Sequence, residues 1–285
     1  MGSNQRQTER SGRTGRRRPA VVPPPTDAFA IDTGTASFLA DPHRPGTVTL
    51  LVNGAHSSPF NLHDPAELYF EYMQWMLAVL RSLYPPETPL RGLHLGGAAC
   101  ALPRAIGHLW PDSRHLAIEI DAKLAEAVRA HLPLPRAPKL RLRVGDALAA
   151  LAGKTPATCD IIVRDVFDGV RVPPHVAGTE AARLAAQALA PSGVYLVNCA
   201  DQPGLPVARR EAATLATAFP YVAVIAEPGQ LRGRRRGNAV LVARHQATTP
   251  ETESDLARLL RADAFPARLI TGEETPTWAG GARPL

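Results

Sequence analysis

Short apolar runs alternate with amphipathic stretches along the middle of the chain, which is the pattern of a sheet covered by helices. The predicted strands are Leu90–Leu95, His115–Ile120, Leu140–Val144, Asp160–Arg164 and Val194–Asn198. Helical periodicity follows four of them, at Ala101–Trp110, Ala122–Leu132, Thr179–Leu189 and Val207–Phe219, and a short helix ends near Leu151. Because a helical crossover returns the chain to the same edge, these strands are predicted to lie parallel.

Two further strands, Tyr221–Ile225 and Ala239–Ala243, are separated only by an Arg-rich loop, which indicates an antiparallel hairpin at one edge of the sheet. We therefore predict an α/β, Rossmann-like fold with a mostly parallel seven-stranded sheet and an antiparallel edge strand. Residues 85–246 would form this nucleoside-binding catalytic domain. Residues 247–285 would add a C-terminal helix, over about 252–262, and a loose tail after Thr271.

Before this domain, residues 29–84 predict a small cap made of β-strands and one helix. Its strands are expected at Ala36–Ala40, at Val48–Val52 and around Ser57–Asn61. Asp64-Pro65 is a favourable helix start, because Asp caps the first turn and Pro fits its first position. The amphipathic helix that follows would carry Tyr72 and Trp75 towards the core, although one of them could cover an adenine.

Most of the net charge of +6 belongs to residues 1–18, which hold six arginines and one glutamate. Residues 1–28 form an Arg/Pro-rich tail without an apolar run, and such composition predicts disorder. Nucleic acid contact through this tail is conceivable, but the basicity does not mark a folded face. Nothing approaches the roughly 20 apolar residues of a membrane span, so a cytoplasmic protein is the simplest expectation.

Metal and disulfide chemistry are not expected. The three cysteines are scattered, and His43, His56 and His63 stand in loops without ligand spacing. Cys100 could be reactive, but a small packed thiol is the simpler interpretation.

Candidate binding residues follow the first two strands. Gly96-Gly97-Ala98 lies between the first strand and its helix, where small residues expose backbone amides to a ligand. Glu119, at the end of the second strand, can accept both ribose hydroxyls of a nucleoside. Asp121 is the neighbouring alternative, although a helix cap suits it better.

The third and fourth strands are also followed by carboxylates. Asp146 can accept from an adenine amine, with Ala147 leaving room for the ring; a helix cap is the other interpretation, and both can hold together. Asp165 and Asp168 follow the fourth strand and would face the ligand crevice. Asp165 could take a proton from an attacking amine, and Asp168 could hold a cationic end of the acceptor.

The order of these motifs resembles the spermidine synthase-like (polyamine aminopropyltransferase) family, over about residues 35–245. The upstream run Gly54-Ala55-His56-Ser57-Ser58, followed by Asp64-Pro65 and a helix, is similar too. The resemblance implies the class I S-adenosylmethionine-dependent methyltransferase fold and a transferase of polyamine biosynthesis. It implies an S-adenosyl-type donor and an amine acceptor, with Glu119 on the ribose, Asp146 on the adenine and Asp165 at the amine. Whether the chain forms a homodimer is left open by the sequence.

Three departures from the family pattern bear on the donor and acceptor. Ala99 stands where the family carries an acid that grips the donor's amine, and Met73-Gln74 replace a Tyr-His pair. A Tyr-containing segment is replaced by Pro228–Gly237, which includes Arg232, Arg234, Arg235 and Arg236. If those arginines lined the pocket they would repel a polyamine, whereas arginines facing water would have no such effect.

Three other interpretations stay open. Without an acid at position 99, intact S-adenosylmethionine and methyl transfer become plausible. The chain could instead be a catalytically inactive nucleoside-binding protein with a basic interaction tail. A dinucleotide oxidoreductase ranks last, because it leaves Asp146 and Asp165 without a role.

Overall fold

The computed structural model describes residues 25–169 and 171–285. The predicted disordered tail, 1–28, therefore lies outside the described residues except for its last four positions. No described helix is both long enough and apolar enough to cross a membrane.

The N-terminal cap is a four-stranded antiparallel sheet followed by one helix. Its elements are β1 (Phe29–Ile31), β2 (Gly34–Ala40), β3 (Thr47–Val52), β4 (Ala55–Asn61) and α1 (Glu71–Leu83). The predicted helix start at Asp64 is wrong, because the Asp64 carboxylate accepts from the Ala66 amide at 2.8 Å in a tight turn. The helix begins only after Phe70, once the chain has left this turn.

The main sheet has eight strands in the order β12-β10-β11-β9-β8-β5-β6-β7. Its parallel part contains β5 (Arg91–Leu95), β6 (Arg114–Glu119), β7 (Leu140–Val144), β8 (Cys159–Arg164) and β9 (Leu189–Asp201). The helices between these strands are α2 (Ala101–Leu109), α3 (Ala122–His131), α4 (Ala147–Ala152) and α5 (Thr179–Ala188), with a 3₁₀ turn at Pro174–Val176. The predicted α/β fold with a mostly parallel sheet is confirmed.

The antiparallel part follows α6 (Pro206–Leu215) and contains β10 (Tyr221–Ala226), the short α7 (Pro228–Leu231) and β11 (Gly237–Arg244). The expected pairing of β10 and β11 is present, but it does not lie at the edge of the sheet. An eighth strand, β12 (Arg268–Ile270), pairs outside β10 after α8 (Pro250–Ala262).

The end of the chain differs from the loose tail expected after Thr271, since α9 (Thr275–Ala279) forms there. Trp278 explains the difference, because the Arg209 guanidinium lies 4.6 Å from the centre of its ring. The terminal Leu285 amide also donates to Thr214 at 2.8 Å.

Apolar side chains cover both faces of the main sheet. Along β8, Ile161 and Val163 pack into one core with α1 and α2, and Ile162 packs into a second core with α5 and α6. Strands buried on both faces are expected when helices cover a parallel sheet. The sheet is therefore a rigid support for the loops at its ends.

Polar contacts join the cap to the main domain at defined points. The Thr33 amide and hydroxyl donate to the Asp121 carboxylate at 2.7 and 2.8 Å. At a second point, the Trp75 indole of α1 donates to the Phe265 carbonyl at 2.8 Å. Because these contacts hold the cap at two places, α1 has a fixed position beside the sheet.

A buried ion pair lies beneath the end of β8. Arg164 and Glu211 of α6 are 2.7 Å apart, and each side chain is only 2% exposed. Arg164 also donates to the carbonyls of Val176 and Asn198, each at 3.3 Å. The guanidinium therefore ties β8 to β9, to α6 and to the 3₁₀ turn.

We expect Glu211→Gln to lower the free energy of unfolding by about 3–5 kcal/mol, because it leaves the Arg164 charge buried without a counter-charge. Urea denaturation measures this change. Asp255→Asn breaks the exposed pair with Arg258 (3.1 Å) and is the matched control; its change should stay within about 1 kcal/mol. A loss below about 1 kcal/mol for Glu211→Gln would contradict the role assigned to the buried pair.

Candidate functional site

The predicted site residues meet at one edge of the main sheet, which we call the crest: the loops that follow the carboxyl ends of β5, β6, β7 and β8. From β5 the chain adds β6 and β7 on one side and then places β8 on the other side. Parallel sheets bind ligands at such a switch in strand order, because the two loops diverge there.

The loop after β5 touches the loop after β8. The Gly96 backbone has φ +92°, and a Cβ added there would lie 2.1 Å from the Asp165 carbonyl oxygen. At Gly97, an added Cβ would lie 3.0 Å from Cβ of Glu119 and 2.8 Å from a methyl carbon of Leu142. Glycine at both positions therefore allows the loop to approach Asp165 and Glu119 closely.

The rest of this loop turns tightly into α2. Ala98 and Cys100 have φ values of 37° and 57°, a region that L-residues rarely occupy. Ala99 is fully buried in the core between the sheet and α1. Cys100 is 1% exposed, and burial raises its pKa to about 12. A packed, unreactive thiol is the result.

Glu119 ends β6 and is 9% exposed. One carboxylate oxygen accepts from the Ala98 amide at 2.8 Å, and the other accepts from the Asp121 amide at 3.1 Å. A carboxylate has about four acceptor positions, so two remain for a ligand. Asp121 itself caps α3 by accepting from the Leu124 amide at 2.8 Å, as the alternative interpretation expected.

Asp146 follows β7 and caps α4, accepting from the Ala149 amide at 2.8 Å. Its second oxygen lies 2.9 Å from Nε2 of His175. Partial burial raises the pKa of Asp146, but the hydrogen bonds from Ala149 and His175 outweigh it and hold the pKa below its usual value. Ala147, the next residue, is buried.

Asp165 follows β8 and accepts two side-chain hydrogen bonds. The Tyr72 hydroxyl of α1 donates at 2.7 Å, and the Asn198 amide of β9 donates at 2.8 Å. Burial raises the pKa of Asp165, although both hydrogen bonds oppose the rise. Burial and the Asp165 charge also raise the pKa of Tyr72 well above its usual value, so Tyr72 stays a donor.

Asp168 lies three residues further along, on an exposed turn whose backbone pairs with Arg171. The structure therefore brings Asp165 and Glu119 into contact with the Gly96–Cys100 loop, while Asp168 stands at the outer rim. The Arg232–Arg236 segment is exposed, and Arg235 pairs with Glu227. Its arginines face water, so the repulsion considered from the sequence does not arise.

Sequence reasoning missed two residues of this site, Tyr72 and Asn198. Tyr72 was expected to face the core or to cover an adenine; it is only 5% exposed, and its hydroxyl donates to Asp165 at the crest. Asn198 ends a predicted apolar strand, and a polar residue at that position was the available signal. Trp75 is 1% exposed and belongs to the core, so it does not cover a ligand.

A third polar contact borders the crest, where the Asn238 amide of β11 donates to Glu71 of α1 at 2.8 Å. In the described ranges, no group of three or more His, Cys, Asp or Glu side chains is arranged to hold a metal ion.

Comparison with solved structures gives a match along nearly the whole chain. A probable spermidine synthase from Corynebacterium glutamicum ATCC 13032 is 33% identical, with a TM-score of 0.87. The match covers 92% of this chain and 96% of that chain. No protein-family model matches the chain.

Curated relatives match over shorter segments. A polyamine aminopropyltransferase of Vibrio vulnificus (strain CMCP6) is 30% identical over 139 residues, which are 47% of this chain and 46% of the relative. An eEF1A lysine and N-terminal methyltransferase of Mus musculus is 31% identical over 110 residues, 36% of this chain and 16% of the relative. The chain thus aligns with less than half the length of these curated relatives.

The raised pKa of Asp165 predicts a pH-dependent cost to stability. The folded protein holds this proton more tightly than the unfolded chain does, so ionisation of the carboxyl favours unfolding. The cost is fully present above the folded pKa and disappears below the unfolded value near 3.8. Asp165→Asn should therefore unfold at a higher urea concentration than the wild type at pH 7, and the gain should shrink as the pH approaches 4.

Asp168→Asn is the control for this measurement, because the exposed Asp168 carboxyl is not desolvated. A loss of stability in Asp165→Asn at pH 7 would show that Asp165 ionises in the folded protein without cost.

Proposed function

This chain belongs to the spermidine synthase-like family, and on that premise we propose that it is a transferase with an S-adenosyl-type donor that alkylates an amine, with Asp165 as the base. The proposed reaction is aminopropyl transfer. The main support for this proposal is the position of the Asp165 carboxylate. It accepts hydrogen bonds from Tyr72 and Asn198 at 2.7 and 2.8 Å, directly beside the glycine loop.

The donor would lie along the crest. Glu119 has acceptor positions left for the ribose hydroxyls, and its existing bonds to the Ala98 and Asp121 amides fix its direction. Each Asp146 oxygen already accepts one bond, from the Ala149 amide or from His175, so acceptor positions also remain there for the adenine amine. We therefore propose Gly96, Gly97, Ala98, Glu119, Asp146 and Ala147 as the donor site.

In the proposed step, the nitrogen lone pair of a neutral amine attacks the carbon beside the donor's sulfonium. The carbon–sulfur bond breaks, its electron pair stays on sulfur, and methylthioadenosine leaves. The proton from the alkylated nitrogen passes to Asp165. A carboxylate with a raised pKa is a stronger base than an ordinary aspartate, which supports this role.

An amine acceptor fits the charge of the crest. Asp165 and Glu71 lie near Tyr72, and Asp168 lies on the outer turn. Because the Arg232–Arg236 segment is exposed to water, it does not oppose a cationic acceptor from within the crest. We propose that Asp168 holds the far cationic end of that acceptor.

Methyl transfer from intact S-adenosylmethionine is the second candidate, and Ala99 favours it. The Ala99 methyl group is fully buried, so position 99 offers no group to hold the amine of an aminopropyl donor. The similarity of part of the chain to a lysine and N-terminal methyltransferase also supports this alternative. Either donor would use the same nucleoside contacts and the same base.

We expect the purified protein to bind methylthioadenosine, and Glu119→Gln to weaken this binding by about 10–100-fold, because hydrogen bonds to a charged carboxylate are lost. Isothermal titration calorimetry measures both affinities. Glu126→Gln, at an exposed position of α3, removes a carboxylate away from the crest and should bind like the wild type.

Absence of methylthioadenosine binding by the folded wild-type protein would argue strongly against the proposed nucleoside site. Equal weakening by both substitutions would instead mean that Glu119 acts only through overall charge.

For turnover, we expect the wild type to convert decarboxylated S-adenosylmethionine and an amine to an alkylated product. Asp165→Asn should lower kcat by about 10²–10⁴-fold, because it removes the general base. Methylthioadenosine binding should be retained. Asp168→Asn should raise KM for the amine more than it lowers kcat.

Parallel assays with the intact and the decarboxylated donor separate the two candidates, since mass spectrometry distinguishes a methyl from an aminopropyl addition. Product from the intact donor alone would replace aminopropyl transfer by methyl transfer. No product from either donor, together with nucleoside binding, would indicate the catalytically inactive interpretation.

A further inference from the structure

A basic cleft lies at the end of the main sheet away from the crest. It has a volume of about 840 Å³ and begins at the amino ends of β5, β6 and β8. From there it continues along the edge strand β7. Seven basic side chains line it: Arg91, Arg114, Arg129, Arg136, Arg141, Arg143 and Lys154. We call this surface the arginine cleft. It corrects the expectation that the basicity does not mark a folded face.

The charge of the arginine cleft is not balanced locally. None of the described residues that line it is an aspartate or glutamate. Between Glu126 and Asp146 the sequence has five basic residues and no acidic one. Within the described part of the chain, Arg91 alone among the seven forms an ion pair, with Asp160 at 2.8 Å. All six arginines are exposed, so their charges are available to a ligand.

Protection of an open strand edge explains only part of this arrangement. Basic residues on an edge strand do prevent pairing with other chains, and Arg141 and Arg143 stand on such an edge. Arg114, Arg136 and Lys154, however, come from β6, from the loop before β7 and from the segment after α4, and they line the same cleft. Edge protection does not explain why basic side chains from separate elements converge on one cleft. Binding of an anion would explain it.

Arginine side chains favour phosphate as that anion. Six of the seven basic residues are arginines, whose planar guanidinium matches a phosphate with two parallel hydrogen bonds. Arg141 and Arg143 project from the same face of β7, about 6.6 Å apart along the strand. This separation is comparable to that of neighbouring phosphates on one nucleic acid strand.

The lining also indicates how a nucleic acid would be held. No Phe, Tyr or Trp is found among the described residues of the arginine cleft, so unpaired bases have no aromatic ring to stack on. Contacts restricted to the backbone suit a duplex, whose phosphates are outermost. We propose that the arginine cleft binds the phosphate backbone of duplex nucleic acid without reading its sequence. None of the described residues that line the cleft belongs to the proposed donor site at the crest.

The test uses the full-length protein and a fluorescent DNA duplex of about 20 base pairs, with binding followed by anisotropy between about 50 and 200 mM salt. The wild type should bind with a strong salt dependence. The double variant Arg136→Glu/Arg141→Glu should bind at least about tenfold more weakly at low salt. Its slope of log affinity against log salt should fall by about two, or about one for each lost phosphate contact.

Two further variants locate the binding. Arg81→Glu/Arg261→Glu makes the same change of charge on exposed positions of α1 and α8 and should bind duplex like the wild type. Arg16→Ala/Arg17→Ala/Arg18→Ala tests the N-terminal tail. If the tail variant loses binding and the cleft variant keeps it, the proposal is wrong.

Other outcomes are equally decisive. Polyglutamate that competes as well as the duplex, charge for charge, would show a general polyanion surface and would overturn recognition of phosphate. An RNA duplex that binds like the DNA duplex supports the proposal, because the shared feature is the backbone. Methylthioadenosine titration and circular dichroism of the cleft variant show that the crest and the fold are intact, so failure here is distinguishable from failure of the proposed transferase.

Discussion

The backbone contact between Gly96 and Asp165 determines the geometry of the crest. A methyl group at position 96 would meet the Asp165 carbonyl, so the loops after β5 and β8 can lie together only with glycine there. The same contact places the proposed base beside the loop that would receive the donor. Tyr72 and Asn198 then determine the direction of the carboxylate, and the ion pair of Arg164 with Glu211 supports the strand end from below.

Two requirements are met by different layers of the molecule. Positioning of a reacting group needs rigid support, and the doubly covered sheet provides it. A raised pKa needs removal of water, and burial raises the pKa of Asp165, against which the Tyr72 hydroxyl of α1 lies. The cap is thus part of the site, because α1 supplies one of the two side-chain donors to the carboxylate.

Much of the fold could be predicted from the sequence, because apolar runs and turn residues act locally. The bounds of β7 were predicted to the residue, and those of its parallel neighbours differ at the ends. The start of α1 was missed, because a local hydrogen bond of Asp64 competes with helix formation. The eighth strand and α9 were missed, because short elements depend on tertiary contacts such as that of Trp278 with Arg209.

The carboxylates of the candidate site could be predicted from the sequence, but most of their hydrogen-bond partners could not. Glu119 and Asp165 follow strands, and strand ends can be found from the pattern. The bond from Tyr72 to Asp165 joins positions 93 residues apart and depends on the rotation of α1, which no local pattern specifies. The exposure of Arg232–Arg236 likewise depends on how the chain leaves the short α7.

The packing of Cys100 has a consequence for a protein that would hold an alkylating sulfonium. A thiolate next to such a carbon would be a far better nucleophile than an amine, and the protein would inactivate itself. Cys100 lies in the loop proposed to receive the donor, yet it is 1% exposed and its pKa is raised to about 12. Kept as a neutral thiol behind the loop backbone, it is spared modification by the bound reagent.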